Sequence, residues 1–296
     1  MKKKLLIILF LFGFLFNYSL SSFFVVKADG IEDDVIGTFK IIDDNKYNQG
    51  GNGHVPNGTI KTEYVIVSLI AHGNPGKKTM DVGMMVDFYT SKPTYINVTI
   101  TPSKGTTANG VFVPIAPISI SPDPRVGAIQ TKKIKLDKTW FWNFDVSTTY
   151  RLEGGFNKNE KNHAGPVLIN RMGRAYPKQV DPGTNQLIAM PVSTLLSKTS
   201  TAAATQMRSD FDNRVKKPYR TWWEQTYGGG QPPNYSNSFF GGLFNSFKSP
   251  WDGWEIHHIV PIEFGGTNVY SNLVPLPKTK HQEFTTWFAG YYGVNK

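Results

Sequence analysis

The chain has 296 residues, of which 40% are hydrophobic and 18% charged, so it can form an apolar core and is not of a disordered or collagen-like class. It contains no cysteine, which excludes disulfide bonds and zinc sites built from thiolates. Its formal net charge of +10 is compatible with a nucleic-acid partner but does not by itself indicate one.

The segment 1–28 has the layout of a secretory signal peptide. Lys2, Lys3 and Lys4 precede an apolar stretch, residues 5–16, that is shorter than the ~20 residues needed to span a bilayer. A small residue at the end, Ala28, suits cleavage after that position. We therefore expect a secreted protein whose mature chain has no transmembrane segment. The alternative is an uncleaved N-terminal anchor. Removal of the peptide leaves 28 basic and 22 acidic residues, a net charge of +6.

Residues 29–157 are predicted to form an antiparallel, β-rich domain of the sandwich type. Apolar runs rich in β-branched and aromatic residues are separated there by clusters of Gly, Pro, Asn and Ser. The runs are Tyr64–Ile70, Asp81–Tyr89, Tyr95–Thr101, Gly110–Ile115 and Trp140–Val146. Residues 105–109 are expected to form a hairpin tip. We expect this domain to serve in targeting, receptor binding or protection.

In the rest of the chain, the composition and the spacing of apolar residues change at two places. Residues 158–192 are polar and interrupted by Gly and Pro, which predicts a linker or irregular region. From Ser193 to about Gln225, apolar residues recur at helical spacing, which predicts one or two helices, the second beginning near Pro218. Residues 228–250 are predicted to be a long loop. We group residues 193–296 as a C-terminal domain.

Three of the six histidines lie between His257 and His281. Adjacent histidines such as His257 and His258 on a strand point to opposite sides, so one can hold a metal ion while its neighbour reaches a water molecule. Hydrolysis of a phosphodiester needs such a base, together with positive charge that a divalent ion can supply. Asn272 can hold the intervening loop through backbone hydrogen bonds. These residues are therefore candidates for a hydrolytic metal site.

The spacing of this segment resembles a known family. A His-His pair is followed by Pro261, by Gly265-Gly266, by Asn272-Leu273 and by His281. This pattern is similar to that of the HNH, or ββα-metal, endonucleases, and the start at Glu255 resembles the colicin- and pyocin-type DNase branch. The resemblance covers roughly residues 251–292. It implies a C-terminal ββα-metal (HNH) nuclease domain. Together with the β-rich domain that the strand pattern predicts, the expected fold class is α+β.

The resemblance also implies roles for individual residues. His258 matches the general base, and His257 and His281 match metal ligands. Asn272 matches the residue that positions the loop and the base, and Glu255 matches an acidic residue that orients an imidazole or an arginine. The implied cofactor is one divalent metal ion, with Zn, Ni, Mn and Mg as the options.

One position departs from the colicin-type pattern. Those DNases carry a further metal histidine four residues after the one matched by His281, and here that position is Thr285. A third ligand from Glu283 or from elsewhere in the chain stays open, as does a site in which water and substrate phosphate complete the coordination.

The implied function is an exported metal-dependent endonuclease that hydrolyses DNA, or also RNA, with little sequence specificity. Five basic residues precede the motif, and of these Arg214 and Arg220 are our candidates for contacts to the nucleic-acid backbone. Two alternatives stay open. One is a bacteriocin-like secreted nuclease toxin that has an N-terminal targeting domain and an immunity or inhibitor protein as partner. The other is a non-enzymatic surface-binding protein with a degenerate HNH domain.

Overall fold

The structure is a computed structural model that describes residues 35–43, 63–153, 155, 157–189, 193–227 and 251–291. The predicted signal peptide, residues 1–28, and the loop predicted for residues 228–250 lie outside the described residues. None of the helices within the described ranges is both long and apolar enough to span a membrane.

Two antiparallel sheets account for most of the described N-terminal half. The first contains β1 (Val35–Asp43), β2 (Glu63–Asn74), β3 (Thr79–Tyr89) and β7 (Ile129–Lys135), in the order β1-β2-β3-β7. The strands of the second sheet are β4 (Pro93–Gly105), β5 (Val113–Pro114), β6 (Ile118–Ile120), β8 (Trp140–Leu152) and β9 (Lys158–Ile169). Their order is β5-β4-β8-β9, and β6 also pairs with β4.

The side chains that face inward from both sheets form one hydrophobic core. Side chains along a strand point alternately to its two faces, and in β4 the inward-facing Ile96, Val98 and Ile100 are buried while the residues between them are exposed. Trp142 from β8 and Met84 from β3 are fully buried in the same core. The predicted antiparallel β-rich region is therefore confirmed. The run predicted at residues 110–115 is reduced to the two-residue strand β5, which pairs with β4 across the expected hairpin tip.

The prediction of a linker over residues 158–192 is wrong for its first third. Strand β9, Lys158–Ile169, pairs with β8 from Trp140 to Tyr150. Its first half is polar because it is an edge strand whose side chains are mostly partly exposed, and such edges commonly carry charges. Within β9, only Ala164, Leu168 and Ile169 are buried.

A single continuous helix of 26 residues follows, rather than two separate helices. It consists of α1 (Thr201–Asp210), one π-helical turn (Phe211–Val215) and α2 (Lys216–Thr226). Pro218 lacks an N–H and would collide with the carbonyl group four residues earlier in a regular α-helix. The π turn ends just before this position, and its wider spacing accommodates the proline without ending the helix.

The C-terminal segment forms a small unit of two strands and one helix. Strands β10 (Trp254–His258) and β11 (Leu273–Pro277) pair antiparallel, with His258 opposite Leu273. Helix α3 (Lys278–Ala289) begins directly after β11. Taken together, the described chain is a mixed α+β protein that is dominated by antiparallel sheets.

Helix α3 is anchored to the sandwich rather than standing apart from it. Phe141 and Leu168 from the second sheet lie in one buried cluster with Trp287 of α3. The fully buried Asn170 donates through Nδ2 to the Trp287 carbonyl at 2.8 Å, and Trp287 Nε1 donates to the Arg174 carbonyl at 2.8 Å. The residues that follow β9 therefore hold the helix that carries His281.

Candidate functional site

The three histidines His257, His258 and His281 lie on both sides of β10, which has α3 on one side and the long helix on the other. Glu255 and His257 alternate onto the face of β10 that is turned toward α3, and the ring of His281 on α3 lies 5.3 Å from the ring of His257. His258 lies on the other face, with its ring 4.6 Å from that of Phe211 in the π turn. The strand thus separates a His257–His281 pair from a single imidazole.

The His257–His281 pair has properties that suit metal ligands. His257 is 4% exposed, and its Nε2 is buried without a hydrogen-bond partner in the described part of the chain. A buried polar atom normally has a partner, so this nitrogen needs an explanation. His281 Nδ1 donates to Glu255 Oε2 at 2.6 Å, because a carboxylate can only accept. The lone pair of neutral His281 is therefore on Nε2, the arrangement in which a carboxylate orients a metal-binding imidazole.

All three imidazoles are biased toward the neutral form. Burial, with the charges of His281 and His258 adding to it, lowers the pKa of His257 to about 3. Burial also lowers the pKa of His281, and the Glu255 carboxylate partly offsets this effect. Burial likewise lowers the pKa of His258, although the hydrogen bond to Asn268 acts in the opposite direction. Neutral imidazoles are the form that binds a metal ion or accepts a proton.

Asn268 fixes the tautomer of His258. The Asn268 Nδ2 donates to the Met207 carbonyl at 3.0 Å and faces Asp210 Oδ2 at 3.3 Å, so Oδ1 is the atom that faces the imidazole. The distance from His258 Nε2 to Asn268 Oδ1 is 2.9 Å. Since an amide oxygen cannot donate, Nε2 carries the proton, and Nδ1 of neutral His258 is the nitrogen that can accept one.

The loop between the two strands is held by Asn272. Its Oδ1 accepts from the Val260 N–H at 2.9 Å, while its Nδ2 donates to the carbonyls of Val260 and Thr267 at 3.1 and 2.9 Å. Gly265 adopts a φ of +83°, and a Cβ at Gly266 would overlap the carbonyl oxygen of Val260. The loop therefore needs glycine at both positions.

Each of the two candidate nucleic-acid contacts, Arg214 and Arg220, has a neighbour on the long helix or at the start of the C-terminal unit. Arg214 is an exposed side chain whose Nη1 lies 3.7 Å from Asp210 Oδ1. The guanidinium of Arg220 lies 5.1 Å from the ring centre of Trp251, whose Nε1 donates to Glu224 Oε1 at 2.7 Å. Arg220 is thus part of the packing of the long helix against the start of the C-terminal unit.

The residues that could have supplied a third metal ligand have other partners. Glu283 accepts from Lys280 at 2.8 Å and from Gln179 at 2.6 Å. The hydroxyl of Thr285 donates to the His281 carbonyl at 3.2 Å. Across the described ranges, no three His, Asp or Glu side chains come together as a set that could hold a metal ion.

Sequence reasoning missed Asn268 and the helix turn that supports it. Asn268 is separated by 61 positions from Met207, the residue whose carbonyl accepts from it. Its only sequence signal is an amide in a glycine-rich stretch ten residues after His258, which is also the ordinary signal of a turn.

Comparison of the chain with protein families, with curated proteins and with solved structures found no match in any of the three. What the site does must therefore be inferred from the chemistry of its side chains.

Proposed function

We propose that the chain is an exported, metal-dependent endonuclease that hydrolyses phosphodiester bonds in DNA, with the site on β10, β11 and α3 acting as a ββα-metal (HNH) centre. The observation that carries the proposal is the buried, unpartnered Nε2 of His257 beside His281, whose Nδ1 is engaged by Glu255. Export rests on the signal-peptide pattern of residues 1–28.

The two imidazoles fit a single divalent ion. Two histidines that bind one tetrahedral ion through nitrogen at ~2.0–2.1 Å have ring centres about 5 Å apart. The rings of His257 and His281 are 5.3 Å apart. Imidazole ligands favour Zn, Ni or Mn, and Mg is the harder alternative. When bound, the ion supplies positive charge that stabilises the phosphorane-like transition state.

The side chains of the chain supply the rest of the chemistry. His258, held by Asn268 as the Nε2–H tautomer, takes the proton of the attacking water through Nδ1. Asn272 keeps the loop between the strands closed, so that His258 at the end of β10 stays in place. Because the nucleophile is an external water, no ribose 2′-hydroxyl is required, and RNA is a second possible substrate.

The proposal is tested by metal binding and plasmid nicking with the chain that lacks residues 1–28. Wild type should bind one divalent ion and nick plasmid DNA only without EDTA. His257→Gln and His281→Gln should lose both properties, because each removes a ligand. His163→Ala is the matched control, since His163 is an exposed histidine paired with Asp145 on the sandwich. Nicking that persists in EDTA would contradict the proposal.

A second candidate function is a metal-binding protein without nuclease activity. The observation that favours it is the engagement of Glu283 and Thr285 with other partners, which leaves two imidazoles at the site. This candidate predicts that a folded sample binds one ion through His257 and His281 and cleaves neither DNA nor RNA with Zn, Ni, Mn or Mg.

A further inference from the structure

An uncharged segment at the edge of the second sheet, residues 105–122, contains no Asp, Glu, Lys or Arg. It begins at the last residue of β4 and includes β5 and β6. Two of the most exposed large hydrophobic side chains of the described ranges lie in it, Val111 at 86% and Val113 at 61%. Single exposed apolar residues are ordinary, but several in an uncharged segment indicate a contact surface.

The fold itself keeps the two valines exposed. Phe112, which lies between them, packs against the hydrophobic cluster between the second sheet and α3. Neighbouring side chains on an extended segment point to opposite sides, so the valines on either side of Phe112 point to solvent. The backbone is held by hydrogen bonds from the Ile115 N–H to the Pro102 carbonyl at 2.9 Å and from the Ala108 N–H to the Ser193 carbonyl at 2.7 Å.

Two lysines lie beside this apolar segment. Lys104 is opposite Val113 in the pairing of β4 with β5, so the two side chains share one face of the sheet. The ammonium groups of Lys104 and Lys138 lie 4.7 and 4.1 Å from the ring centre of Trp140. Asp137 accepts from Trp140 Nε1 at 2.7 Å and from Lys104 Nζ at 3.3 Å. The ring and the carboxylate therefore hold the lysines next to the valines.

A neighbouring turn brings more positive charge to the same end of the sandwich. The Leu136 N–H donates to the Lys78 carbonyl at 2.8 Å, which places the turn at residues 75–78 against the turn at residues 136–139. Asp137 is the one acidic residue in these two turns and the last three residues of β4. Around them lie five lysines, Lys77, Lys78, Lys104, Lys135 and Lys138, of which all but Lys104 are exposed.

We propose that this lysine–valine surface, formed by Val111, Val113 and the five lysines, binds an anionic lipid bilayer. The valines enter the boundary between headgroups and acyl chains, where burial of apolar area is favourable, and the ammonium groups lie at the anionic headgroups. A nucleic-acid backbone offers the lysines the same negative charge but gives the valines no apolar partner. The interaction does not depend on nuclease activity, and it gives the targeting role expected of the sandwich a defined chemistry.

The experiment measures binding of the chain that lacks residues 1–28 to lipid vesicles in EDTA. One set of vesicles contains equal parts of phosphatidylglycerol and phosphatidylcholine, and the other contains phosphatidylcholine alone. Two double variants change the surface: Val111→Ser with Val113→Ser, and Lys104→Gln with Lys138→Gln. Urea unfolding shows that each variant is folded.

The matched controls change the same residue types elsewhere on the sandwich. Val126→Ser replaces a valine that is 44% exposed in the loop between β6 and β7. The double variant Lys92→Gln with Lys161→Gln removes two charges, one before β4 and one on β9, both exposed. It has the same net charge as the lysine variant of the surface, so a difference between the two reports position rather than total charge.

Wild type should bind the anionic vesicles and bind phosphatidylcholine about 10-fold or more weakly. The lysine variant of the surface should bind anionic vesicles about 30-fold more weakly, which is about 5-fold for each lysine. The valine variant should lose about 10-fold, because less apolar area is buried at the boundary. Both controls should lose far less than the surface variants.

The absence of cysteine from the chain allows a direct readout of insertion. Val113→Cys and Val126→Cys are each labelled with one environment-sensitive dye. The emission of the dye at position 113 should move to shorter wavelength when anionic vesicles are added, and that of the dye at position 126 should not.

Three results would overturn the proposal. One is that wild type binds no vesicles, and another is that the surface variants bind them as their controls do. The third is an unshifted dye at position 113. If the lysine variant instead binds a DNA duplex more weakly than its control while wild type ignores the vesicles, the surface contacts nucleic acid and the lipid assignment is wrong.

Discussion

Acid should destabilise the metal-free protein through His257. The folded state keeps this imidazole neutral, with a pKa of about 3, whereas in the unfolded chain it titrates near its ordinary value of ~6.5. Above pH 6.5 both states are neutral and the group has no effect on stability. Between pH 6.5 and 3 the unfolded state binds a proton that the folded state does not, so stability falls as the pH falls.

The size of this effect follows from the two pKa values. His257 alone should lower the free energy of unfolding by about 2 kcal/mol at pH 5 and by about 3 kcal/mol at pH 4. The assay is urea unfolding in EDTA at pH 7.5, 6, 5 and 4 for wild type and His257→Gln, which cannot titrate. The difference between the two proteins isolates His257 from the carboxylates, which titrate in both.

The expected result is that wild type loses stability relative to His257→Gln as the pH falls from 6.5. Parallel curves for wild type and His257→Gln would refute the reasoning, since they would mean that His257 takes up its proton in the folded state without cost.

Three further predictions concern the groups that support the histidines. Glu255→Gln should weaken metal binding by about 10–100-fold, because His281 loses the carboxylate that orients it; calorimetric titration measures this, and unchanged affinity would contradict it. Asn268→Leu should lower kcat by roughly 10²-fold with metal affinity unchanged, since only the orientation of His258 is lost; a loss of metal binding instead would indicate general misfolding. Asn170→Ala should destabilise the protein by about 2–3 kcal/mol in urea unfolding, because it leaves buried backbone groups without partners; wild-type stability in this variant would contradict the anchoring of α3.

Local pattern was sufficient to locate the histidines of the site. His257 and His258 are adjacent on a strand, so their opposite directions follow from the alternation of side chains. The role of Asn272 in holding the loop also follows from its type and position, since an amide in a turn bonds to nearby backbone groups. These features depend on contacts between residues that are close in the chain.

The remaining features depend on contacts between distant residues. Nothing in the pattern around Asn268 shows that a helix some sixty positions earlier contacts the loop after β10. Strand β9 was missed for a related reason, because its polar first half pairs with β8 through backbone groups that side-chain pattern does not report. Because β9 was not predicted, the contact between Asn170, which directly follows β9, and Trp287 of α3 was not predicted either.

The proposed nuclease activity depends above all on His258 as the general base. The most direct test is plasmid nicking by wild type and His258→Ala, both saturated with the same divalent ion and both shown to be folded. His258→Ala should bind the ion as wild type does and nick DNA about 10²–10⁴-fold more slowly. Nicking by His258→Ala at the wild-type rate would contradict it.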